Sequence, residues 1–185
     1  MPARRTRGPR DPGDPVIRVV QGSILEVEAE AVIRPIRTDL TPVTATSRDL
    51  GTWAGEAVEE HLVRLGSLPL GGAVMTPAGK LPCDFLIHAV VMSEDEPQTS
   101  ANVQKAVQNS LRRATDWAVE SLALPPLGIG VGTTEPETSA RALTEILFNH
   151  LDEGAAPLDL TLVVTSDFEE ELFGRLVDEL ERDRA

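Results

Sequence analysis

The chain has 185 residues, 41% of them apolar, and a formal net charge of −13. That length suits one domain with a buried core, and the acidic balance disfavours extended DNA or RNA as a partner. A single cysteine, Cys83, excludes an intrachain disulfide framework, and aromatics at 3%, with no tyrosine, leave few rings to stack on bases.

Residues 1–15 hold Arg4, Arg5, Arg7 and Arg10 among Pro, Gly and Asp, with little to bury, and predict a disordered basic tail ahead of a domain at 16–185. Val16–Val20 and Ala31–Ile33 read as strands, and Val58, Leu62 and Leu65 as one face of a helix. Ala73–Thr76 and Phe85–Val91 are the next strands. Val103, Val107, Leu111, Ala114 and Ala118 line one face of a long helix. Leu122–Leu124 is a short buried strand. Thr134-Glu135-Pro136-Glu137 reads as a capping box, and the helix behind it buries Ala140, Leu143, Leu147 and Leu151. Leu160–Val164 is a strand, Ser166-Asp167-Phe168-Glu169 a second capping box, and the last helix carries Leu172, Phe173, Leu176, Val177 and Leu180. No apolar run is long enough to span a membrane, and the N-terminus has no secretory apolar core, so a soluble cytoplasmic protein with no membrane partner is expected.

Alternating strands and helices imply an α/β domain with helices on both faces of a largely parallel sheet. Ligands of such sheets bind beyond the carboxyl ends of the strands. Gly128, Gly130 and Gly132 stand there, in a turn between an apolar strand and a helix. Glycine lets a ligand approach the backbone closely, and exposed amides near a helix N-terminus suit phosphate. Gly22-Ser23, Arg34–Asp39 and Ser166–Phe168 also follow strands.

Three pieces, in order, resemble the macro domain family over most of residues 16–180: Val19-Val20-Gln21-Gly22-Ser23-Ile24, the run from Gly72 to Pro82 with Leu86-Ile87-His88-Ala89-Val90, and Leu124-Pro125-Pro126-Leu127-Gly128-Ile129-Gly130-Val131-Gly132. The resemblance implies a three-layer α/β/α sandwich around a mixed, mostly parallel six-stranded sheet. It also implies a cleft for ADP-ribose or a related nucleotide. Some members hydrolyse ADP-ribosyl linkages and others only bind. The chain departs from the family in that cleft. Ser23 stands where the family has an acid that reads adenine, and a hydroxyl is a weaker acceptor than a carboxylate. Arg34-Pro35-Ile36-Arg37 replaces an Asn-Ala-Ala-Asn motif, and guanidinium suits phosphate better than a hydroxyl network. Thr41 to Gly51 replaces a glycine-rich loop.

The resemblance therefore implies a binding module for ADP-ribose or a similar phosphate-bearing nucleotide, with ADP-ribosylated protein as a further partner. Ser23 and Ile24 are expected at the base, with Gly22 among the ligand-binding residues, and Phe168 either stacks on the base or makes a hydrophobic contact at the helix entrance. Gly128, Ile129, Gly130, Val131, Gly132 and Thr133 are expected at the diphosphate, and Arg34 and Arg37 at the distal end. A hydrolase of ADP-ribosyl or phosphoester bonds is the first alternative, with Asp39 as candidate base by position. A ligand-free scaffold is the second. Trp53 and Trp117 read as packing residues, His88 as a satisfied core histidine, and Lys80 as exposed. No metal-ligand spacing links the histidines to carboxylates or Cys83, and no cofactor is expected.

Overall fold

The computed structural model describes residues 14–129 and 135–184. The expected tail lies outside the described residues except for Asp14 and Pro15, and so does Thr134 of the first capping box. In chain order the elements are β1 (Val16–Gln21), β2 (Ala31–Arg37), α1 (Ala45–Ala54), α2 (Glu56–Leu65), β3 (Ala73–Pro77), β4 (Phe85–Met92), α3 (Ser100–Asp116), β5 (Ser121–Leu124), α4 (Pro136–Asp152), β6 (Asp159–Val164) and α5 (Asp167–Arg184). The sheet has six strands in the order β1-β6-β5-β2-β4-β3. Every pairing is parallel except β3 with β4.

Strand residues alternate between two cores, as period-2 geometry requires. Ala31, Ile33, Leu122, Leu124, Leu160 and Leu162 face α3, α4 and α5. Val32, Leu86, Ala123 and Val163 face Leu50 and Ala54 of α1 and Val58 of α2. The result is the three-layer α/β/α sandwich around a mixed sheet.

Four local readings change. First, β2 does not stop at Ile33; it runs to Arg37, with Pro35 inside it. Pro35 is tolerated because β5 pairs with β2 only at Ala31 and Val32, so the strand has lost that neighbour by residue 35. Second, residues 45–51, read as loop, open helix α1. The Thr44 hydroxyl accepts a bond from the Ser47 amide at 3.1 Å and caps it. Thr44→Ala should cost about 1 kcal/mol, seen as a lower midpoint in thermal unfolding. Third, α3 ends at Asp116, and Ala118 leaves the helix with φ of 52°. Fourth, Leu65 is exposed at the last turn of α2, and Trp53 and Trp117 are 58% and 60% exposed rather than packed. Trp117 keeps one tilted ring contact with Phe85, at 5.7 Å between centroids.

The two cap readings part ways. Ser166 accepts from the Glu169 amide at 3.2 Å, and Glu169 accepts in return from the Thr165 amide at 2.9 Å. At α4 the cap residue is Glu135, with no side-chain cap bond and Pro136 following.

Candidate functional site

Chain direction creates a crevice in the sheet. From β2 the chain crosses to α1 on one face; from β5 it crosses to α4 on the other. The two strands are neighbours, so their carboxyl ends lie between diverging connections, where α/β sheets bind ligands. A cleft of about 240 Å³ opens there. Pro35 of β2 and Val163 of β6 form part of its floor. Pro125 to Ile129 wall one side, Ser23 to Leu25 come from the loop after β1, and Val43, Thr44 and Thr46 come from the start of α1. Asp49, Gln98, Thr165 and Glu169 complete it.

Four predicted residues meet in this cleft: Ser23, Ile24, Gly128 and Ile129. Gly128 has φ of 86°, a left-handed conformation that favours glycine. Ser23 is partly engaged, its Oγ accepting from the Leu25 amide at 3.3 Å. Gly22 lies outside the lining, extending the β1–β6 ladder through a 2.9 Å bond from its amide to the Val164 carbonyl. Gly130, Val131, Gly132 and Thr133 lie outside the described residues.

The arginines are elsewhere. Arg34 occupies the strand position that points beneath α1 and α2, and it is 2% exposed. Its Nε donates to the Ser47 carbonyl at 2.8 Å and its Nη1 to Glu59 at 2.6 Å. It sits against Gly51, where any Cβ would meet the guanidinium. The side chain read as a distal ligand group is therefore a tie between sheet and helices. Arg37 donates to the Pro42 carbonyl and to the Thr41 hydroxyl, closing the turn between β2 and α1. Asp39 belongs to the same turn and not to the cleft lining. Its carboxylate accepts from the Thr41 hydroxyl at 2.6 Å and the Thr41 amide at 3.0 Å. The Thr41 hydroxyl first, then its amide, hold that carboxyl below its ordinary pKa, which weakens it as a base. Phe168 is 61% exposed and outside the lining.

His88 is a core histidine, hydrogen-bonded through Nε2 to the Thr76 hydroxyl at 3.0 Å, while its Nδ1 has no partner among the described residues. Burial, then the Arg34 charge, push its pKa down to about 3, so it is neutral. Burial pushes the Cys83 thiol up to about 11, which leaves it protonated and inert. Lys80 is exposed, its stem lying against Gly55. No group of three or more His, Cys, Asp or Glu suited to a metal occurs among the described residues.

The charged side chains that line the cleft among the described residues, Asp49 and Glu169, are both acidic. An anion seated there must be held by backbone amides, hydroxyls and the N-terminal end of α1, not by a cationic clamp. Sequence reasoning missed the wall from Thr44 to Asp49, because it read those residues as loop. It also missed Gln98, which sits in a polar stretch without periodicity. Glu169 had a usable signal: its place in the capping box after β6 put it at a strand end.

The Macro domain family model matches residues 44–143. A relative in Aquifex aeolicus, described as an uncharacterized protein, is 32% identical over 157 residues, covering 84% of this chain and 92% of its own. A macro domain-containing protein of Caldanaerobacter subterraneus subsp. tengcongensis is 26% identical over 90% of this chain and 98% of its own. Among solved structures, a mutant Oceanobacillus iheyensis macrodomain with ADPR superposes with a TM-score of 0.81, at 17% identity, covering 94% of this chain and 97% of that one. A Trypanosoma brucei macrodomain in complex with ADP-ribose gives 0.77 at 16% identity, covering 87% and 68%.

Proposed function

The chain belongs to the macro domain family, and we propose that its cleft binds ADP-ribose or a related phosphate-bearing nucleotide. The observation that carries this reading is the cleft's position. It lies at the carboxyl ends of β2, β5 and β6, in a fold shared with macrodomains solved with ADP-ribose. The diphosphate lies along the turn that begins at Gly128 and Ile129. Ser23 and Ile24 meet the base. Because Ser23 replaces a carboxylate, selectivity for adenine is lower than a carboxylate would provide.

Arg34 and Arg37 donate to Ser47, Glu59, Thr41 and Pro42 and are outside the cleft lining, so this reading gives neither guanidinium a ligand contact. Among the described residues two carboxylates, Asp49 and Glu169, line the cleft, and the chain carries a net −13. Added salt screens the repulsion between these charges and a diphosphate. Affinity therefore holds or rises with ionic strength, the reverse of an arginine clamp.

Titration calorimetry with ADP-ribose, ADP and AMP tests the reading. Ile129→Glu, which puts a carboxylate at the half-buried wall of the turn, should weaken ADP-ribose at least tenfold, or about 1.4 kcal/mol. Absence of heat with every nucleotide at millimolar concentration would overturn the binding reading.

A further inference from the structure

The cleft wall supplied by α1 is held largely by polar bonds. Thr44, Thr46 and Asp49 line the cleft, whereas the buried apolar residues of α1, Leu50 and Ala54, lie in its second half. Val43, ahead of the helix, is partly buried against the core. Within the first turn, Ser47 is the one buried residue.

Ser47 is fully buried and lies outside the cleft lining. Its hydroxyl donates to the Pro35 carbonyl, and its amide donates to the Thr44 hydroxyl at 3.1 Å. Its carbonyl accepts from Arg34 Nε at 2.8 Å, and Arg34 is tied in turn to Glu59 of α2. Pro35 belongs to the floor of the cleft and Thr44 to its wall. One buried side chain therefore joins the two surfaces. The Pro35 carbonyl needs the bond, because a buried carbonyl without a donor is costly. Strand β5 pairs with β2 only at Ala31 and Val32, and past the end of that ladder the Ser47 hydroxyl serves the carbonyl.

We propose that Ser47 is a positioning residue for ligand binding: its bonds fix the first turn of α1 against β2 and so set the spacing between the wall and the floor of the cleft. This rests on the nucleotide reading of the cleft. A wall ordered in advance raises affinity, because the ligand does not have to order it on binding. Ser47→Ala removes the bond from wall to floor. It keeps the Thr44 cap, which uses the Ser47 amide. The first turn stays helical but loses its hold on Pro35.

Titration calorimetry with ADP-ribose compares the wild-type protein with Ser47→Ala and Ser110→Ala, at a temperature where urea unfolding shows each to be folded. Ser110→Ala deletes the same group from a fully buried site in α3, where the hydroxyl donates to the Ala106 carbonyl at 2.8 Å. Ser47→Ala should weaken ADP-ribose about fivefold, and Ser110→Ala should leave its affinity unchanged. A purely structural role lowers stability in both variants and moves neither affinity. Wild-type affinity in Ser47→Ala, or equal losses in the two variants, overturns the inference alone. If Ser47→Ala does not fold, Arg34→Met takes its place, since it removes the donor to the Ser47 carbonyl and alters no lining residue. Weaker ADP-ribose binding is expected there too, and wild-type affinity overturns the inference. No binding by the wild-type protein removes the nucleotide reading and this inference together.

Discussion

Glu59→Ala destabilises the fold by about 3 kcal/mol, and Arg34→Met by less than about 1 kcal/mol. The asymmetry follows from where each partner sits. Arg34 is 2% exposed, and removing Glu59 leaves its guanidinium charged beneath α1 and α2 with the Ser47 carbonyl as its one remaining acceptor among the described residues. Stranding a buried charge costs roughly 3–5 kcal/mol. The lower end applies because the Glu59 side chain is 41% exposed, so water can enter as it leaves. Methionine in place of Arg34 keeps much of the length and apolar contact, removes the charge that had to be desolvated, and leaves Glu59 free to hydrate. Urea unfolding of the two variants measures the difference. Equal losses would show that the pair contributes through packing and not through its charge.

Acidification lowers stability by up to about 1.4 kcal/mol per pH unit between pH 6.5 and 4.5, before the carboxylates protonate in quantity. The source is His88. Its folded pKa lies near 3 against an ordinary 6.5, through burial first and the Arg34 charge second, with His61 adding a smaller push. In that window the unfolded chain binds a proton that the folded chain refuses. Stability is therefore fully present above pH 6.5 and drains away as the pH falls toward 3. His150 acts in the same direction, because burial lowers its pKa too, against the Pro157 carbonyl that raises it. Denaturant unfolding across the window, repeated on His88→Gln, checks the assignment. The variant should show a flatter slope whatever its absolute stability. An unchanged slope would remove His88 as the cause.

These predictions centre on the face of the sheet that the sequence described least well. Arg34 is separated from Glu59 by 25 residues. In the sequence, a charged residue followed by proline reads as the end of a strand. Only the packing of α1 and α2 over β2 places that charge inside. Helix α1 was illegible for a related reason: it buries few apolar residues, so periodicity is weak, and the Thr44 cap does the work of starting it.

The candidate site divides the same way. Ser23, Ile24, Gly128 and Ile129 follow strands directly, and any parallel sheet brings such residues to one edge. Thr46, Asp49 and Gln98 reach that edge only because α1 and α3 start beside it. Phe168, although adjacent to a strand end, turns outward on the first turn of α5, while Glu169 faces the cleft.

The sequence by itself determined the alternation of elements, the two-sided sheet and the turn at Gly128, because hydrophobic period and glycine placement act over a few residues. Tertiary structure alone decided which polar groups are buried, which arginines are committed to ties, and which carboxylates face the cleft. Those outcomes depend on partners far away in the chain, and desolvation is set by what packs above a residue, not by its neighbours in sequence.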